Sequence, residues 1–312
     1  MVNNLRRTNK SPLVTVIVAT FNMSATLSFT LRSIRAQTFR DFEVLVIGDA
    51  CTDDSENVVK RIRDPRFRWL NLPRNTGGQW GPNNEGIRIA RGRYVAYLGH
   101  DDLWFSWHLS YLVNTIENSG ADLVYGLTAL IGPQGLLGIA GPPGRGENPS
   151  KGWVPPSSWL HRRELTADIG PWRAHSELTI EADTDVLIRT FDAEKKMDFC
   201  KDLTVLKFPS PHWKSYARKE DLPQPRIYKR LVSNPHKLYT EILLEGSFLS
   251  SRMSLSYVPI RESLRNLATS IETRLFNYYG RDRWPLAPFL RRRFRSHRKK
   301  IQRLRGLRAH NS

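Results

Sequence analysis

Tyr94-Val95-Ala96-Tyr97-Leu98-Gly99-His100-Asp101-Asp102-Leu103-Trp104 is a short apolar run of β-formers, then two adjacent carboxylates, then an aromatic. The first half predicts a buried parallel strand. Open α/β sheets bind their ligands in the crevice at the carboxyl ends of the strands. That places Asp101 and Asp102 at the mouth of the sheet. Paired carboxylates there are hard oxygen ligands, suited to Mg²⁺ or Mn²⁺ shared with substrate phosphates. The competing reading makes one of the two the N-cap of a helix starting near Leu103.

Upstream, the chain alternates strand and helix. Leu13–Ala19 is a β-rich run that breaks at Thr20-Phe21-Asn22, and a helix is predicted from Ala25 to Ala36, with Leu27, Leu31 and Ile34 at helical spacing. Glu43–Ile47 reads as the second strand. It enters the acidic turn Gly48-Asp49-Ala50-Cys51-Thr52-Asp53-Asp54-Ser55, which predicts a helix over Glu56–Arg63. Phe67–Leu70 and Asn83–Arg91 read as a strand and a helix. The alternation predicts a parallel sheet with helices on both faces. Asp53 and Asp54 fit helix capping and first-turn charge. Asp49, at the strand end itself, fits that less well and could accept from a nucleobase imide or a ribose hydroxyl.

Downstream, a helix is predicted over Ser106–Asn118 and a strand over Asp122–Leu127. The Gly/Pro-dense stretch Gly132–Pro156 predicts a long loop. Helices are predicted over His161–Ile169, Asp183–Phe191, Pro235–Leu249 and Glu262–Phe276, and a strand over Leu203–Phe208.

The chain has 312 residues and a formal net charge of +18, which points to anionic partners such as phosphates or an acidic lipid surface. Two cysteines, Cys51 and Cys200, are too few for a disulfide framework and favour a reducing compartment. Met1–Lys10 is polar and basic and predicts no signal peptide. No apolar run is long enough to span a bilayer. The first turn, Thr20-Phe21-Asn22-Met23, has no glycine and no Gly-Lys-Ser/Thr, so it carries neither a dinucleotide fingerprint nor a P-loop.

In ordered succession these segments resemble the family 2 glycosyltransferases of GT-A fold. Val16–Asn22 is similar to the opening strand and its Thr/Tyr-Asn turn. Val46–Ser55 resembles the Asp-Asp-Gly-Ser-Thr-Asp stretch. Asn75-Thr76-Gly77-Gly78 and Asn83-Asn84-Glu85-Gly86 resemble the two Asn-x-Gly segments. Leu98–Asp102 resembles Leu-Asp-x-Asp-Asp. Asp183–Arg189 resembles Glu-Asp-x-Asp-Leu-x-x-Arg, with Ala182 in place of Glu.

The resemblance implies an α/β, Rossmann-like fold, a mostly parallel sheet flanked by helices, with a helical, basic C-terminal extension. It implies inverting transfer of a sugar from a nucleoside diphosphate donor to a saccharide or lipid-linked acceptor hydroxyl, in surface polysaccharide or glycolipid synthesis. Thr20, Asn22 and Asp49 would line the nucleoside pocket, and Arg74 would approach the base or the diphosphate. Asp101 would hold Mg²⁺ or Mn²⁺ bridging the diphosphate, Asp102 would support it or contact the donor, and His212 would complete the site from the far half. Asp183 would be the general base. Trp153, Trp159 and Trp172 are candidates to stack on an acceptor sugar.

Two departures stand out. Gly48 and Gly99 occupy positions where the family usually has Asp. The alternatives are a nucleotidyltransferase, which usually shows a Gly-rich basic loop after its first strand, and a weakened nucleotide-sugar-binding protein on the same fold. The domain reading is 11–215 for the transferase domain, split into a nucleotide-sugar half, 11–128, and an acceptor half, 129–215. Residues 216–312 form the helical basic region. Arg291–Arg308 holds ten Lys/Arg and no acid, and Leu290, Phe294, His297, Ile301 and Leu304 would share one helical stripe. This predicts an interfacial contact with an anionic membrane through 290–308, no specific nucleic-acid binding, and a cytoplasmic protein peripheral on the inner membrane face.

Overall fold

Val14–Thr20 (β1), Phe42–Gly48 (β2) and Tyr94–Tyr97 (β4) are buried along their whole length apart from Ala19 in the first. Their alternate side chains feed two cores. Val14, Val16, Val18, Val44 and Val46 face one, with Leu27, Leu31, Leu109 and Leu112 from helices. Ile17, Leu45, Ile47, Val95 and Tyr97 face the other. This is the period-two exchange of a sheet covered on both faces, and it explains why these runs are continuously apolar. The computed structural model describes residues 11–141, 152–209 and 222–255, with side chains to 249.

Among the described residues the sheet has nine strands in the order β3-β2-β1-β4-β8-β6-β9-β5, with β7 paired to β6. The other strands are Phe67–Asn71 (β3), Leu103–Trp104 (β5), Leu123–Gly132 (β6), Gly135–Ala140 (β7), Trp159–Arg162 (β8) and Met197–Lys207 (β9). β3, β2, β1 and β4 run parallel. β8 enters antiparallel between β4 and β6. β9 is parallel to β6, so the carboxyl ends of β1, β2, β4 and β9 share one edge. The helices are Ser24–Arg35 (α1), Ser55–Ile62 (α2), Trp80–Ile89 (α3), His108–Ser119 (α4), Leu165–Ile169 (α5), Ala182–Asp192 (α6), Gln224–Ser233 (α7) and Pro235–Leu255 (α8).

The first half follows the sequence pattern closely. It departs at Leu103, and the second half departs in three places. The predicted helix over His161–Ile169 is a strand, β8, followed by a helix only at Leu165–Ile169. Trp159 and Leu160 enter opposite cores, a period-two arrangement that four residues cannot announce. The predicted loop Gly132–Pro156 contains β7, turned at Pro133-Gln134, with Gly135 and Gly138 at positive φ. Residues 142–151 of that stretch lie outside the described residues. Leu103 starts no helix; Leu103–Trp104 pairs with Leu206 and Val205, and α4 begins at His108. α7 was not predicted.

The described part of 216–312 shares a core with the sheet. Ile227, Leu231, Leu238 and Ile242 pack with Leu103, Ala129, Leu206 and Phe208. The predicted helix Glu262–Phe276 and the basic stretch 290–308 lie outside the described residues. Among the described residues no helix is long and apolar enough to cross a membrane.

Candidate active site

The turn after β2 is assembled from nearby chain. Asp49 is buried, and its Oδ1 accepts from the Thr76 N–H at 2.8 Å and the Thr76 hydroxyl at 2.9 Å. The Asn75 side chain donates to the Asp49 carbonyl at 2.9 Å. Burial pushes the Asp49 carboxyl above its ordinary value, opposed by the donors of Thr76. Asp49 therefore anchors the 75–78 loop as well as facing the mouth of the sheet.

Asn22, at φ 48°, bridges from the end of β1 to the same turn. Its Oδ1 accepts from the Thr52 N–H at 2.8 Å and the Asp53 N–H at 3.3 Å. Asp53 receives the N–H of Ser24 on one oxygen and the N–H and hydroxyl of Ser55 on the other, so it ties together the starts of α1 and α2. Partial burial pushes its carboxyl up, but the donors of Ser55 and Ser24 outweigh that and hold it below its ordinary value. Thr20 is buried at the end of β1, and its carbonyl accepts from the Asp49 N–H at 2.8 Å. Arg74 is exposed on the loop beyond β3.

Gly48 is explained by its neighbours. A Cβ there would lie 2.5 Å from Asn71 Oδ1 and 2.6 Å from the Trp69 ring. Asn71 fills that space and makes two hydrogen bonds to the backbone of Cys51. A side chain from β3 thus does the local work of holding the turn.

The turn after β4 is assembled from distant chain. Asp102 is fully buried. Its Oδ2 accepts from the Ser157 hydroxyl at 2.6 Å and from the Lys207 ammonium at 2.9 Å. Its Oδ1 accepts from the Phe208 N–H at 3.2 Å. Ser157 also receives the Gly99 N–H at 3.2 Å. The Asp101 carbonyl receives the Gln224 side chain from α7 at 2.9 Å. Neither aspartate caps a helix: Trp107 stands at the N-cap of α4.

A Cβ on Gly99 would lie 2.9 Å from Asp102 Oδ2 and 3.2 Å from Asp101 Oδ1. An aspartate at 99 could not enter without moving both carboxylates. Among the described residues no three acidic, histidine or cysteine side chains meet as a cation site. Both oxygens of Asp102 are engaged, and His212 lies outside the described residues. The described residues therefore offer Asp101 as one candidate ligand and do not by themselves form a metal centre.

Asp183 stands in the first turn of α6, half-buried, its Oδ1 accepting from the Thr184 N–H at 2.9 Å. Burial first, and then the neighbouring Glu181 charge, push its carboxyl above its ordinary value, with Lys207 pulling the other way. α6 is fixed from behind by Asp185, which is buried and paired with Arg189 at 2.8 Å. Arg189 in turn donates to the carbonyls of Gly170 and Pro171.

Of the three tryptophans, Trp153 is 43% exposed while Trp159 and Trp172 are buried in the core. The latter two cannot stack on a sugar. Trp172 Nε1 donates to the Tyr97 hydroxyl at 3.2 Å. The Tyr97 hydroxyl lies 2.9 Å from His161 Nε2, and His161 Nδ1 lies 2.7 Å from the Arg162 carbonyl. A carbonyl only accepts, so Nδ1 carries the proton and Tyr97 donates to Nε2. Burial pushes His161 down to about 4, which keeps it neutral. This network braces the end of β4 beneath the acidic turn.

Thr76, Ser157 and Lys207 escaped the sequence reading. Lys207 carried a usable signal: a charge inside the apolar run Leu203–Phe208. Ser157, after two prolines, carried none.

The family model "Glycosyl transferase family 2" matches residues 15–138. Over that segment the chain is similar to a family 2 glycosyl transferase domain. An Escherichia coli protein, UDP-Glc:alpha-D-GlcNAc-diphosphoundecaprenol beta-1,3-glucosyltransferase WfaP, is 32% identical over 106 residues, 34% of this chain and 41% of that protein. A Campylobacter jejuni protein, GalNAc(5)-diNAcBac-PP-undecaprenol beta-1,3-glucosyltransferase, is 34% identical over 117 residues, 37% of this chain and 38% of that one. The chain thus spans less than half the length of each relative. The crystal structure of S. aureus TarS 1–349 in complex with UDP superposes with a TM-score of 0.54 at 18% identity, covering 94% of this chain and 89% of TarS 1–349. The fold is GT-A, and the matched segment holds the Asp49 and Asp101 turns but not Asp183 or Lys207.

Proposed function

We propose that this protein transfers a sugar from a nucleoside diphosphate sugar to an acceptor hydroxyl with inversion, in the assembly of a surface polysaccharide or glycolipid. The observation that carries this reading is the convergence of Asp49, Asp101 and Lys207 at the carboxyl edge of one sheet, with the Lys207 charge acting on Asp183. Two relatives named for lipid-diphosphate-linked acceptors favour an acceptor of that class.

Asp49, Thr20 and Asn22 would form the nucleoside end. The Asp183 carboxylate would take the acceptor proton as the hydroxyl oxygen attacks the anomeric carbon. The bond from that carbon to the diphosphate breaks, and its electron pair leaves with the diphosphate. Attack opposite the leaving group inverts the centre. A carboxyl whose proton affinity is raised by burial is a better base than an exposed aspartate. The Mg²⁺ or Mn²⁺ implied by the resemblance would lower the charge of the leaving group, and Asp101 is the described side chain that would hold it.

Incubation with a panel of UDP-, GDP- and dTDP-sugars, with and without Mn²⁺, tests the reading by release of the nucleotide. Acceptor-stimulated release of a nucleoside diphosphate is expected. Transfer of a nucleotidyl group, or binding without turnover, would replace it with one of the two alternatives.

The basic stretch 290–308, outside the described residues, is proposed as a contact with anionic lipid, each near-surface Lys or Arg contributing on the order of 1 kcal/mol. Truncation after Leu286 should abolish co-sedimentation with anionic vesicles and spare donor hydrolysis. Equal sedimentation of both forms would remove this contact from the proposal.

A further inference from the structure

Lys207 ends β9 on the same sheet edge as the acidic turn. Its ammonium is 2.9 Å from Asp102 Oδ2, and the side chain keeps 21% of its exposure. The pairing uses one of the three ammonium donors. One fixed cation is therefore paired with a carboxylate of the acidic turn, on the sheet edge that the site reading assigns to the donor.

A purely structural account leaves this charge unexplained. A buried ion pair offsets its own desolvation poorly, and a well-packed apolar pair would hold the strand at least as well. The lost carboxylate at 99 points the same way. A side chain there would press on both Asp101 and Asp102, so the turn has one acid fewer with which to chelate a divalent ion. A nucleoside diphosphate arriving at three carboxylates needs positive charge from somewhere.

We propose that Lys207 is a fixed cation for the donor diphosphate, contacting its phosphate oxygens and supplying part of the charge that a divalent ion would otherwise supply. The inference rests on the nucleotide-sugar reading above. When the bond between the anomeric carbon and the diphosphate breaks, the electron pair and the added negative charge stay on the diphosphate oxygen. The ammonium meets that charge without giving up its proton.

Calorimetric titration in EDTA with two probes, UDP and uridine, tests this. Lys207→Met should weaken UDP by about 10- to 100-fold, the range for a hydrogen bond to a charged group. Uridine affinity should stay within about twofold, since a probe without phosphates does not reach the lysine. Lys207→Arg should keep UDP affinity near the wild-type value. Lys207→Met strands a buried carboxylate, so the same comparison is made between Asp102→Asn and the double variant Asp102→Asn/Lys207→Met, where no buried charge is left alone. Unchanged UDP affinity in both comparisons overturns the proposal. Equal loss of UDP and uridine also overturns it, because it assigns Lys207 a merely structural role. A wild type that binds uridine but gains nothing from the phosphates of UDP refutes Lys207 alone. A wild type that binds none of UDP, GDP and dTDP refutes the nucleotide reading as well.

Discussion

The two acidic turns of this protein are held in opposite ways. The turn after β2 is closed by nearer chain: Thr76 on Asp49, Ser24 and Ser55 on Asp53, and Asn22 on Thr52 and Asp53, at separations of up to 31 residues. The turn after β4 is closed from afar. Ser157, Lys207 and Phe208 reach Asp102 across 55, 105 and 106 residues, and Gln224 reaches Asp101 across 123. The first is built from neutral donors, the second around an ammonium. The Asp49 turn can thus form within the first half of the chain, whereas the Asp102 turn is complete only once β8, β9 and α7 have docked.

The largest expected effect comes from the far half. Asp183→Asn should lower acceptor-dependent turnover by about 10²- to 10⁴-fold, the usual contribution of a general base, while leaving UDP affinity within a few-fold. The same variant should be more stable at neutral pH. The unfolded chain loses this proton near 3.8, but the folded carboxyl holds it to higher pH. As pH rises past the folded value, ionisation favours the unfolded state, and the penalty is full at neutrality. Asparagine removes it. Thermal melts of both forms at pH 7.5 and pH 4 check the sign: the gap should narrow as the pH falls. Loss of UDP affinity together with turnover would move Asp183 into the nucleotide pocket.

A smaller effect is expected from Ser157→Ala. It leaves the Gly99 N–H and an Asp102 oxygen without their shared partner, at a cost of about 1–3 kcal/mol in urea unfolding. UDP affinity should fall while uridine affinity holds. If uridine falls equally, the two turns are not separate units.

The smallest effect is expected from Thr76→Val, which deletes a hydroxyl donor to Asp49 but keeps the N–H, at about 0.5–1.5 kcal/mol. Here the pattern should reverse, with uridine and UDP weakened in equal proportion. A loss confined to UDP would break the assignment of Asp49 to the nucleoside end.

The sequence determined the first half almost entirely. β1, β2 and β4 are continuous apolar runs because both faces are covered, and the helices between them carry their spacing openly. The positions of Asp49, Asp101 and Asp183 followed from strand and helix ends. Tertiary structure decided the rest. β8 is four residues long and is a strand only because β4 and β6 offer it backbone partners on both sides. Gly48 and Gly99 read as losses, yet Asn71 in one case and two carboxylates in the other already fill the space a side chain would need. Asp102 read as half of a cation site, but the lysine that occupies it is 105 residues away. Periodicity reports which face of an element is apolar. It carries no record of which distant donor a buried carboxylate will meet, because that pairing is set by how the elements pack.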